Sequence, residues 1–209
     1  MKVENNPSDS DLLQSMLAGD EGALTALYRR RQRGIYQFAL QMCGSPALAE
    51  DVTQEVFMML IREGHTFDSS RGSLNAFLIG VARNHVLRRW RRERFYVALE
   101  GDLQNDDKPN HNRVSPAGLL DALSRNETIE SVRRSVLALP EKYREVVVLC
   151  DLQELSYVEA AGILDCAVGT VRSRLHRGRA LLIEKLRPAH AEESEETAGA
   201  TTKSARCFA

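Results

Sequence analysis

Apolar residues in this chain recur at three- and four-residue intervals over two long stretches, and no segment carries the pattern of a strand outside a helical frame. The first stretch runs from Asp9 to Val97. Leu12, Leu13, Met16 and Leu17 make a first helix; after Gly19, Asp20 can cap a second that carries Leu24, Leu27, Tyr28, Ile35, Phe38, Ala39 and Met42 inward. Gly44 stops it, and Ser45-Pro46 reads as an N-cap followed by proline at the first helical position. The third helix turns Ala49, Val52, Val56, Met59 and Leu60 inward and ends near Gly64. A fourth starts around Ser73 and passes through Leu74, Phe77, Leu78, Val81, Ala82 and Val86 into a run of arginines.

The periodicity then fails between Glu100 and Glu127, where Gly101, Asp102, Asn105, Asp106, Asp107, Pro109 and Pro116 supply linker chemistry. It resumes near Ile129 and continues to Leu186. Val146-Val147-Val148 could be a short strand alone, but it lies in a helical frame. The expected architecture is all-α: a helical domain over 9–98, a flexible acidic linker over 99–128, a smaller helical domain over 129–187, and a disordered Ala/Glu/Ser/Thr-rich tail over 188–209. No apolar run approaches the roughly 20 residues that cross a bilayer, and the polar, acidic start carries no secretory signal, so a cytoplasmic protein without a membrane partner is expected. Cys43, Cys150 and Cys166 read as free thiols and Cys207 as an exposed one. No cysteine or histidine pair has metal-ligand spacing, so neither metal nor cofactor is expected.

Charge separates along the chain more than it accumulates. The net charge is only -1, yet Arg88, Arg89, Arg91, Arg92 and Arg94 fall in one run and Arg172, Arg174, Arg177 and Arg179 in another. A local basic surface binds phosphate whatever the total charge.

Near the C-terminus, Ser156-Tyr157-Val158-Glu159 is a capping box that opens a short helix rich in small residues. Asp165-Cys166-Ala167 turns the chain, and Val168-Gly169-Thr170 opens a longer helix. Two helices on a tight turn, the second rich in arginine, make a helix-turn-helix. Val168, Val171, Leu175 and Leu182 form the inward stripe of the second helix; Thr170 opens it, and Arg172, Ser173, His176, Arg177 and Arg179 lie outside the stripe, free for base edges or phosphate in a duplex. The plainer reading is a solvated polar face.

In the first domain, Asp51, Gln54 and Glu55 share one helix face, which is either plain surface or a dock for a basic helix. Acid–base catalysis would need a third group, a metal ligand or a phosphate loop, and none accompanies them, so neither an enzyme nor a small-molecule substrate is expected. Downstream, Arg83, Asn84, His85, Arg88, Arg89 and Arg91 mix guanidinium, amide and imidazole groups on one helix, the combination that holds single-stranded nucleic acid; Phe77 and Trp90 are either part of that site or core.

Together these segments resemble the extracytoplasmic-function sigma factors of bacterial RNA polymerase. Ala49 to Phe57 is similar to the family's segment that binds the polymerase clamp, Arg71 to Arg92 to the part that captures and opens the minus-ten element, and Leu139 to Leu186 to the helix-turn-helix that reads the minus-thirty-five element. The resemblance implies a promoter-directing transcription initiation factor with core RNA polymerase and promoter DNA as partners, and an anti-sigma factor as a third. It assigns Asp51, Gln54 and Glu55 to polymerase, Arg83, Asn84, His85, Arg88, Arg89 and Arg91 to the melted strand, and Thr170, Arg172, Ser173, His176, Arg177 and Arg179 to the duplex. Asp165 and Ala167 depart from the glycine and proline common in the family's turn, and Phe77 stands where a tryptophan is common. The alternatives are a stand-alone helix-turn-helix regulator, which would bind DNA without polymerase, and a helical-bundle enzyme, whose turnover would depend on Asp51 or Glu55.

Overall fold

A computed structural model describes residues 7–99 and 120–186. The acidic residues assigned to the linker before Leu120, and the tail with Cys207, lie outside them. Eight α-helices account for most of the described residues: α1 (Asp9–Leu17), α2 (Glu21–Cys43), α3 (Pro46–Glu63), α4 (Leu74–Leu99), α5 (Leu120–Leu137), α6 (Glu141–Val147), α7 (Tyr157–Leu164) and α8 (Val168–Leu186).

Side chains set where the first helices begin and end. Ser8 and Asp11 form a reciprocal capping box at the head of α1, and Asp9 pairs with Arg30 and Arg31 to fasten α1 along α2. The Asp20 carboxylate accepts the Gly22 and Ala23 amides at 2.8 and 3.3 Å. Gly44, at φ 73°, ends α2 in the left-handed conformation glycine adopts without cost, and its amide donates to the Leu40 carbonyl. Ser45 caps α3 with Pro46 just inside it. These starts and stops coincide with those expected from sequence.

The first domain's core is a contiguous layer of Leu27, Ile35, Phe38 and Met42 from α2, Val56 and Leu60 from α3, and Leu78, Ile79 and Val86 from α4, all withdrawn from water. Burying each such side chain contributes about 1.5–3 kcal/mol. Tyr28 departs from its expected inward position. It is 43% exposed and sets its ring 4.8 Å from that of Phe57, tilted by 55°.

The second domain begins two turns earlier than its apolar pattern, because α5 starts at Leu120. Val146, Val147, Val148 and Leu149 are buried in succession, so this helix is enclosed on all sides rather than on one face. It leaves α6 through a wider π-helical turn, Val148–Leu152, in which the Gln153 amide reaches back to the Val148 carbonyl. Helix α8 lies close against α6 at Gly178, where an added Cβ would stand 2.9 Å from a Val147 methyl.

The two domains pack together. Arg144 of α6 donates to the Met42 carbonyl at the end of α2 (2.8 Å) and to the Leu139 carbonyl (3.0 Å), with its guanidinium 5.8 Å from the Trp90 ring centre. Burial lowers the pKa of that guanidinium, and its Nε finds no partner.

Candidate nucleic-acid interface

Asp51, Gln54 and Glu55 all stand in solvent on α3, because Val52, Thr53, Val56 and Phe57 turn the opposite side into the core. Beside them is a groove of about 820 Å³ between α2 and α3, floored by Tyr28, Tyr36, Phe57, Met58 and Ile61 and edged by Gln54. Met58 and Ile61 are 43% and 48% exposed, so an apolar trough adjoins an acidic ridge. Sequence reading found the ridge and missed the trough. Exposed apolar residues one position off the core stripe were its only signal.

Helix α4 carries the second set. Leu74, Leu78, Ile79, Ala82 and Val86 face inward, leaving Asn84, Arg88, Arg89 and Arg91 exposed and His85 half-buried. Burial, and then the Arg88 charge, hold the His85 pKa below its ordinary value, while Glu55 of α3 pulls it the other way. The imidazole is therefore neutral near pH 7, and the acidic ridge is within electrostatic reach of the α4 face. Arg83 is placed differently from its neighbours. Its Nε donates to Glu145 Oε1 of α6 at 2.7 Å and its Nη1 to the Ile163 carbonyl of α7. Asn84 helps line a crevice of about 390 Å³ with Phe67, Arg71 and, from α7, Val158 and Glu159. Phe77 is half-buried, its ring 5.5 Å from that of Phe67. At the head of α4 the Ser73 hydroxyl donates to Glu159 Oε1 at 2.5 Å.

The third set lies on α8. Ser156 and Glu159 form the expected capping box at the start of α7, and hydrogen bonds from the Ser73 hydroxyl and from Ser156 lower the Glu159 pKa. The turn between α7 and α8 passes through Asp165 at φ 49°, ψ 53°, a conformation aspartate tolerates. Val171, Leu175 and Gly178 then face the domain core, while Arg172, Ser173, His176, Arg177 and Arg179 are exposed and Thr170 is half-buried.

Not all six side chains are equally available. Arg172 rests its guanidinium 5.9 Å from the Tyr157 ring centre, and the Ser173 hydroxyl donates to the Thr170 carbonyl. Arg177 hydrogen-bonds the Tyr143 phenol, lowering the phenol's pKa. Arg179 makes a two-pronged pair with Asp151 at 3.0 and 2.6 Å, which raises its pKa further. Arginine-carboxylate forks fix geometry, so Arg179 ties α8 to the π-helical turn.

Among the described residues no helix is long and apolar enough to cross a membrane. Residues 27–96 match the Sigma-70 region 2 family and residues 129–182 match Sigma-70, region 4. The chain is 31% identical to the ECF RNA polymerase sigma factor SigW of Bacillus subtilis, over 84% of this chain and 95% of that one. It is 30% identical to the RNA polymerase sigma-H factor of Pseudomonas aeruginosa, over 86% and 94% respectively. Among solved structures, it resembles the sigma factor RpoE bound to the anti-sigma factor NepR from Bartonella quintana, with a TM-score of 0.63, 25% identity, and coverage of 79% of this chain and 97% of that one. It shares its fold with CnrH in complex with the cytosolic domain of CnrY, at a TM-score of 0.62 and 23% identity over 85% and 96% of the two chains.

Proposed function

The chain belongs to the extracytoplasmic-function sigma factors, which direct bacterial RNA polymerase to promoters, and from that premise we propose which of its residues carry each part of the task. The exposed ridge of Asp51, Gln54 and Glu55 docks the polymerase clamp, with the trough beside it accepting apolar side chains of the same partner. Charge on the ridge sets partner choice and encounter rate, and the trough supplies buried area. Asn84, His85, Arg83 and Arg88 take the melted strand of the minus-ten element, with Arg89 and Arg91 on its phosphates. A neutral imidazole can both donate to and accept from a base edge, which suits His85 to that place.

Arg172, Ser173, His176 and Arg177 read the minus-thirty-five duplex, with Thr170 near the helix N-terminus. Arg179 holds the helix in place through Asp151 and meets only phosphate. The domains are residues 9–98 and, with α5 counted in, a second that starts at Leu120 rather than at 129, joined through the intervening acidic segment. Tethering lets two weak DNA contacts act as one, because the second binds at high effective concentration. The protein takes no substrate and performs no catalysis; strand opening draws on binding energy alone. It works in the bacterial cytoplasm, and an anti-sigma factor is its inhibitor, as NepR is a partner of the related RpoE.

The observation that carries this reading is the presence on one chain, in series, of an exposed acidic ridge, a cationic α4 face and an arginine-lined recognition helix. Runoff transcription with core polymerase and the purified chain, followed by mapping of start sites, tests it. The expected result is initiation from a small set of promoters sharing two spaced elements. DNA binding by the chain alone, with no change in polymerase selectivity, would favour a stand-alone regulator instead.

A further inference from the structure

The arginines of α8 are steadied by groups of different charge. Arg179 gives Nε and Nη2 to the two oxygens of Asp151 at 3.0 and 2.6 Å, so one edge of its guanidinium is filled and its charge is matched. Arg177, two residues earlier, donates instead to the phenol of Tyr143 in α6. The reach is short because Gly178 comes next. A Cβ there would stand 3.5 Å from that of Tyr143 and 3.4 Å from its carbonyl oxygen, so α8 passes α6 closely enough for the two side chains to meet. Lys142 sets its Nζ 5.0 Å from the centre of the same ring, which gives Tyr143 a cation at its hydroxyl and another at its ring.

A carboxylate and a phenol steady a guanidinium with different consequences. The carboxylate takes a fork of two N–H groups and cancels the charge. A phenol carries no charge near neutral pH, and its oxygen accepts one of the five N–H groups, so the guanidinium keeps its charge and a free edge. A free edge is what bidentate pairing with guanine O6 and N7 requires. An arginine already held at one point also gives up less side-chain freedom on binding, because part of that loss is met in the folded protein.

We propose that Tyr143 is a specificity-determining positioning residue: its hydroxyl oxygen aims the Arg177 guanidinium, charge intact, at a guanine of the minus-thirty-five duplex. This inference rests on the reading of Arg177 as a base contact. It divides the labour along α8. Arg177, steadied by a neutral group, is selective, whereas Arg179, matched by an anion, is indifferent to sequence. Tyr143 acts from α6, outside the two helices of the helix-turn-helix, so those two helices alone do not reveal it.

The test uses the full chain assembled with core polymerase. A promoter mapped by runoff competes for it against copies changed one base pair at a time through the minus-thirty-five element, over a series of salt concentrations. Arg177→Ala should lower discrimination at one base pair roughly tenfold or more. Tyr143→Phe keeps the ring beside Gly178 and Lys142 and removes only the acceptor. It should melt like the unaltered chain, lose roughly fivefold at that same base pair and at no other, and leave the salt dependence unchanged. Added to Arg177→Ala, it should cost nothing further. Tyr143→Glu supplies an anionic anchor instead, and should remove discrimination there as fully as Arg177→Ala does.

Equal weakening on every sequence in Tyr143→Phe, with a shallower salt dependence, would mean that the phenol grips phosphate and would overturn the proposal, as would full discrimination in Tyr143→Glu. If Arg177→Ala relaxes base choice and Tyr143→Phe does not, the role of Tyr143 alone has failed. If Arg177→Ala changes no base preference, the reading of Arg177 has failed and takes this inference with it.

Discussion

The two domains present the helices proposed to meet DNA in opposite ways. On α8 the side chains proposed to read duplex stand in solvent, Thr170 apart, and the contacts that steady them, Tyr157 under Arg172 and Asp151 beside Arg179, come from their own domain. On α4 the residues proposed for the melted strand lie near a domain border, and Arg83 is satisfied by the other domain. A helix-turn-helix reads an intact duplex, which offers its groove without rearrangement, so its reading helix needs no protection beyond a folded core. A face built for unstacked bases has no use until DNA is open. Arg83, proposed for that strand, is engaged here by the Glu145 carboxylate, and Asn84 lines a crevice at the same border.

The largest test of that contrast is whether the domains are separate. Leu175→Ala removes a side chain that is 2% exposed in the smaller core and should cost about 2–5 kcal/mol there. Hydrogen exchange should show α6 to α8 losing protection while α1 to α3 keep theirs; equal loss throughout would make the chain one cooperative unit.

Next in size, Asp51→Lys with Glu55→Lys should weaken core polymerase binding by roughly 2 kcal/mol, about thirtyfold. Duplex binding through α8 should be untouched, as titration of labelled polymerase beside a gel-shift assay would show.

A third comparison sets two arginines of α8 against each other. In the assembled polymerase, Arg172→Ala should cost about 1–3 kcal/mol at one base position of the minus-thirty-five element. Arg179→Ala should lower affinity alike for every sequence, because its guanidinium is engaged by Asp151. A base-specific loss from Arg179→Ala would show that this pair opens on DNA.

The smallest effect is in His85. Its folded pKa is depressed below the ordinary value of about 6.5, so its contribution to stability is present above that value and is lost as pH falls through the folded one. An NMR titration should place its midpoint below 6.5, lower still in Glu55→Gln and higher in Arg88→Gln. A midpoint indifferent to Glu55 would separate the polymerase ridge from the strand face.

Much of this was legible in the chain because the signals are local. Asp20, Ser45, Ser156 with Glu159, and Gly44 each act within a few residues, so helix ends could be placed from neighbours alone. Asp165 was legible for the same reason: a left-handed residue between two helices needs glycine, asparagine or aspartate. The start of α5 was not legible, because polar residues there interrupt the apolar period. Tyr28 was misplaced because a helix stripe says which residues can face inward, not whether a neighbouring helix covers them.

The amino-acid sequence by itself determined the helical architecture, the capped helix-turn-helix and three sets of polar side chains off the core stripes, since periodicity and caps depend on residues a few positions apart. Only the tertiary structure decided that Arg83 meets Glu145, that Ser73 meets Glu159, and that a trough runs beside the acidic ridge. Those pairings join residues 62 and 86 positions apart. Coulomb attraction and packing act through space, and no local pattern records which distant surface folding will bring alongside.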